Sequence, residues 1–162
     1  MRVLMFLFFA SMTFSCATSL PPADPSTNPM ERADAIWIHT DREAENAYRT
    51  IAQTLQDKGF GIASSDNTLL TIRTEPRQLD ASFYESLSGA VTVSFNISIR
   101  EHNGDSVIKM TGLYNSGGSI PTSDSKIEMR GARGSVALQA WNAMLETAEA
   151  YPYTRLEYSR NI

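Results

Sequence analysis

Hydrophobic and polar residues alternate most cleanly between Ala90 and Arg100. Val91, Val93, Phe95, Ile97 and Ile99 fall on one side; Thr92, Ser94, Asn96, Ser98 and Arg100 fall on the other. A strict period of two predicts a strand with one buried and one wet face, as in an antiparallel sheet. His102-Asn103-Gly104-Asp105 carries an Asn-Gly turn signal, and Ser106 to Tyr114 reads as the returning strand. The polar face at Thr92, Ser94, Asn96 and Ser98 has two readings, plain solvent exposure or a sheet surface for a partner. The segment Asn115 to Ser125 reads as a flexible loop bordering that surface.

Elsewhere the period changes to that of a helix. Ala44, Ala47, Tyr48, Ile51, Ala52 and Leu55 make one apolar stripe. Thr40-Asp41-Arg42-Glu43 reads as a capping box before it, and Lys58-Gly59 as a basic last turn with a glycine stop. A second stripe, Val136, Ala137, Ala140, Trp141, Met144, Leu145 and Ala148, predicts a helix over 135–150 that ends before Pro152. Trp141 is the expected core anchor. Ala35 to His39 fits a short strand or the entry to the first helix. Phe60 to Ala63 and Leu69 to Thr74 predict a hairpin that turns at Ser64–Asn67, with Pro76 ending it. Lys126 to Met129 fits a further short strand, and Tyr153 to Tyr158 a final edge strand. The expected fold is therefore α+β: a two-layer sandwich of an antiparallel sheet of about four or five strands packed against two amphipathic helices.

The first residues follow neither period. After Met1-Arg2, the run Val3 to Phe14 is apolar except at Ser11 and Thr13. It is too short to span a bilayer, which takes about 20 residues, and fits the core of a secretory signal. Thr13-Phe14-Ser15-Cys16 resembles the lipobox of bacterial lipoproteins, with Ser15 and Cys16 matching and Thr13 and Phe14 departing from the usual residues. That resemblance implies a signal peptide over 1–15, cleavage before Cys16 and lipidation of Cys16. The rival is ordinary cleavage after Ala17, giving a soluble secreted protein. The stretch 17–29 holds four prolines and reads as an extended tether with a reach of roughly 40 Å. The organisation expected is signal 1–15, lipidated Cys16 and Pro-rich tether over 16–29, and one globular domain over 30–162. Ala17 follows the cysteine in place of Asp, which by the sorting rule of two-membrane bacteria implies the outer membrane; no acidic run of the surface-export kind follows Cys16, so a periplasm-facing domain is expected.

Composition narrows the partners. The chain carries 14 basic and 18 acidic side chains, net −4. Loss of the signal takes Arg2 and leaves −5. The basic residues are scattered, so a nucleic acid partner is not expected. Cys16 is the lone cysteine, so no internal disulfide can form and the domain holds by packing. With His39 and His102 the two histidines and no cysteine in the domain, neither a metal site nor another cofactor is expected. Glu101, His102 and Asp105 cluster at a hairpin end and read as solvated. No Gly-x-Ser-x-Gly elbow occurs, so no catalytic residues are assigned. One weak anion-binding candidate stands out: Arg130, Gly131, Arg133, Gly134 and Ser135, glycines and arginines just ahead of a helix start. Its plainer reading is a turn and a cap.

The run Ala47-Tyr48, Leu55, Gly59-Phe60, Ile62, Asp66 and Leu70-Thr71-Ile72, followed by long strands and a terminal helix, resembles small envelope lipoproteins with helix-grip or TBP-like domains, of the kind found in BamC. The resemblance implies a binding or scaffolding accessory; with the anchor, the spacer and the missing catalytic cluster, the expected function is a membrane-anchored, non-enzymatic lipoprotein that binds an envelope protein or supports envelope assembly. The alternatives are a small-ligand-binding module and, further off, a hydrolase.

Overall fold

The computed structural model describes residues 23–79, 90–102, 104–117, 124–131 and 135–160. The signal and Cys16 lie outside the described residues. Among them, nine strands form one sheet and two helices accompany it. The strands are β1 (Ala23–Ser26), β2 (Ala35–Thr40), β3 (Ile62–Asp66), β4 (Thr71–Thr74), β5 (Arg77–Gln78), β6 (Ala90–His102), β7 (Asp105–Gly117), β8 (Ser125–Lys126) and β9 (Arg155–Arg160). The helices are α1 (Ala44–Asp57) and α2 (Val136–Ala150). The main path runs β1-β9-β2-β7-β6-β4-β3, with β5 paired to β6 and β8 to β7. Every pairing is antiparallel.

This corrects the expected sandwich of four or five strands on two helices. The sheet has nine strands and dominates the molecule. The extra strands are short, and pairing to long neighbours holds them where local pattern gives no signal. The tether is corrected at the same point. Residues Ala23–Ser26 form β1, with Ala23 opposite Arg160 and Ser26 opposite Tyr158. Pro25 is tolerated because β1 is the outermost strand, where a missing N–H breaks no inner ladder. The last strand is not an edge either: β9 lies between β1 and β2.

The alternation in β6 is as expected. Val91, Val93, Phe95, Ile97 and Ile99 are all buried. Gly104 takes φ +88 in the tight link between His102 and Asp105, the role an Asn-Gly turn needs. The first hairpin turns later than expected, at 67–70, because Asp66 Oδ1 accepts from the amides of Thr68 (2.8 Å) and Leu69 (2.9 Å).

One register row explains the core. Tyr158, Ile36, Met110, Ile97 and Ile72 stand opposite one another across β9, β2, β7, β6 and β4, all buried. Helices α1 and α2 pack on this face through Ala47, Ile51, Leu55, Ala140, Trp141 and Met144. Phe60 stacks on Phe95 with centroids 4.7 Å apart.

Helix ends follow two rules and break one. At the end of α1, Gly59 N bonds to Gln56 O (2.8 Å) and Phe60 N to Leu55 O (2.9 Å), with Gly59 at φ +80. This is a Schellman stop. Ser135 caps α2, its Oγ accepting from Leu138 N at 3.3 Å. The capping box at Thr40–Glu43 does not form: the N-cap is Glu43, with no side-chain cap bond. Thr40 is held in β2 by pairing with Ser106, too early to cap α1.

Candidate functional site

Each strand presents alternate residues to the two faces, so a core row on one side dictates a row on the other. On the face without helices, Glu157, Trp37, Lys109, Ser98 and Thr71 stand in register across β9, β2, β7, β6 and β4. A second row carries Arg155, His39, Val107 and Arg100. Asn96, with Arg73 and Thr111 as its strand partners, continues the surface toward β3.

The β9 side of this face is tightly cross-linked. The indole N–H of Trp37 donates to Ser159 Oγ at 2.7 Å. His39 Nε2 meets Glu157 Oε2 at 2.8 Å, and a carboxylate can only accept there. Arg155 reaches the other oxygen of Glu157 at 3.4 Å. Lys109 Nζ lies 5.0 Å from the centroid of the Trp37 ring, within cation–π range. Together these contacts fix the indole at its N–H edge and on one ring face.

Two depressions open on this face. One, of about 410 Å³, is bordered by Ser64, Thr71, Arg73, Asn96 and Thr111. The other, of about 270 Å³, is bordered by Trp37, His39, Arg100, Val107 and Glu157, with Pro25 of β1 at its edge. Ser98 and Lys109 line both, so the two make one trough. A third depression of about 300 Å³ lies on the helical side, among Lys58, Arg77, Gln139 and Glu146. There Arg77 is already spent on Phe60, its guanidinium 5.0 Å above that ring. The space between sheet and helices holds the buried core, with the third depression opening between β5 and α2.

Asn96 and Ser98 of the polar face singled out in the sequence line the trough. Arg100 shares the polar face of β6 with Asn96 and Ser98, but no local signal joins Trp37, His39 and Lys109 to it; the register of β2, β6, β7 and β9 does so. His39 and His102 border the same depression, with Glu101 at the hairpin end. Among the described residues, no three His, Cys, Asp or Glu side chains gather in a way that could hold a metal ion.

Of the anion candidate, Gly131 and Ser135 lie side by side, while the Arg130 guanidinium is engaged. Arg130 pairs with Glu128 at 3.5 Å, and the same carboxylate faces Arg32 at 3.9 Å. The Ser135 hydroxyl serves its own helix. Gly131 makes the turn at φ +99. Arg133 and Gly134 lie outside the described residues. The described part fits the turn-and-cap reading.

No helix of the described residues is long and apolar enough to cross a membrane. No family model matches the chain, and no curated protein matches it. Among solved structures, the chain is similar to a DUF4468 family protein from Bacteroides ovatus, with a TM-score of 0.41 and 15% identity over 80% of this chain and 94% of that one.

Proposed function

We propose that this chain is a membrane-anchored, non-enzymatic lipoprotein of the bacterial envelope whose helix-free sheet face binds a partner protein. The observation that carries the binding half is the trough with Trp37 pinned at its floor. A flat aromatic held by a hydrogen bond and a cation is a low-entropy anchor of the kind that dominates interfaces. The anchoring half rests on Ser15-Cys16 and the apolar run before them. Because β1 begins at Ala23, the free tether is shorter than the proline content alone implies. Seven residue steps from Cys16 span at most about 25 Å, so an acylated Cys16 holds the β1 edge near the head groups. Two acyl chains make such attachment stable.

The test is crosslinking in intact cells, with mass spectrometry of what is captured, on the natural protein and on Trp37→Ala. One envelope protein recovered with the first and lost with the second is expected. Recovery of only abundant background from the natural protein would overturn the reading.

A further inference from the structure

The trough is basic on an acidic protein. Arg32, Arg49, Arg130 and Arg155 each contact a glutamate. Arg73 and Arg100 are exposed and have no acidic partner among the described residues. Register places them on neighbouring strands β4 and β6, with Lys109 on the next strand, β7. The three cations thus sit on three adjacent strands and in three successive register rows. Rows of one face are roughly 7 Å apart along the strands and neighbouring strands about 4.8 Å apart. Two acidic side chains line the trough: Glu157, engaged by His39 and Arg155, and Glu101 at the hairpin end. Along the two adjoining depressions Arg73, Lys109 and Arg100 outnumber Glu101 and Glu157, so on a protein of net −4 this surface is complementary to an anion.

The shape selects among anions. The row from Thr71 to Glu157 crosses five strands, about 19 Å, the length of roughly six extended residues. A flat bilayer would rest on the rims of a depression without reaching its floor, and the net negative charge opposes anionic head groups. Three cations are too few to track a nucleic acid backbone. We propose that the trough takes an extended, acidic segment of a partner protein, its carboxylates meeting Arg73, Lys109 and Arg100 while an apolar residue lies on Trp37. This deepens the proposed partner-binding role and rests on it.

The probe is an acetylated peptide of about ten residues in which Glu and Leu share one face of an extended chain and Ser fills the alternate positions, titrated into the full mature chain in uncharged detergent. Of the two tryptophans, Trp141 is 2% exposed in the core, so a change in fluorescence reports Trp37. Saturable binding is expected, weakening several-fold when salt rises from about 50 to about 200 mM. Arg73→Glu with Arg100→Glu is expected to weaken it at least about tenfold and to create affinity for the Lys-Leu counterpart. Both side chains are exposed, and circular dichroism of the double variant checks that the fold is kept. Affinity unchanged by the reversal would overturn the proposal. So would charge-dependent binding to phosphatidylglycerol vesicles without binding to the peptide. If Trp37-dependent crosslinking succeeds while the peptide fails, only the acidic chemistry falls; if both fail, the partner-binding role falls with it.

Discussion

His39 Nε2 lies 2.8 Å from Glu157 Oε2, a diagonal contact that ties β2 to β9 on the helix-free face. The two side chains are 21% and 18% exposed. At that burial a charge-assisted hydrogen bond is worth about 1 kcal/mol of coupling, above the value of a surface pair. A double-mutant cycle with His39→Ala and Glu157→Ala, read by urea denaturation, is expected to return that coupling. Strict additivity would show that the contact holds nothing together.

Gly112 faces Phe95 across β7 and β6 and leaves no room for a side chain. A Cβ there would meet Ile127 Cδ1 at 2.7 Å, the Ser94 backbone oxygen at 2.9 Å and Phe95 Cδ1 at 3.0 Å. The carbonyl belongs to the central hairpin and cannot step aside without disturbing it. Gly112→Ala is expected to destabilise the domain by about 1–3 kcal/mol, as overpacking does. An unchanged urea midpoint would contradict the packing described for this layer.

Tyr151 and Tyr158 both have their phenol pKa raised, in each case chiefly by burial. At Tyr158 the negative charge of Glu149 adds to the effect; at Tyr151 the Thr40 hydroxyl and Arg42 oppose it. A raised pKa means the folded state keeps the proton longer. The associated stability is full below the unfolded value, about 10, and is lost as pH rises through the folded value. In an ultraviolet titration part of the tyrosine absorbance is expected to develop only above the ordinary phenol range. Replacing both by Phe should flatten the alkaline fall in stability, and an unaltered alkaline limb would count against the burial assigned to them.

The lipobox reading makes a direct demand on the mature terminus. The first residue is expected to be Cys16 carrying a diacylglyceryl mass, and Cys16→Ser is expected to move the protein from membranes to the soluble fraction. An unmodified terminus at Thr18 would establish cleavage after Ala17 instead.

The sequence carried the central hairpin and both helices because their signals are local. Five alternating apolar residues mark β6, Gly104 marks its turn, and the stripes through Ile51 and Trp141 mark the helices. It did not carry β1, whose Pro25 falls in a stretch that reads as a spacer and whose partner Arg160 lies at the other end of the chain. Nor did it place β9 inside the sheet. The trough was half legible: Asn96, Ser98 and Arg100 announced a polar face of β6, but Trp37, His39 and Lys109 join it only through long-range register. The Thr40 capping box misled because tertiary pairing with Ser106 outweighs a local cap.

The partner-binding role is tested most directly by site-specific photo-crosslinking in living cells, with the photoreactive residue at Ser98 on the trough floor or at exposed Asn142 on α2. A discrete crosslinked species from Ser98, absent from Asn142 and lost when Trp37→Ala is added, is the expected result. The same species from both positions, or none from Ser98, would contradict a binding face on this side of the sheet.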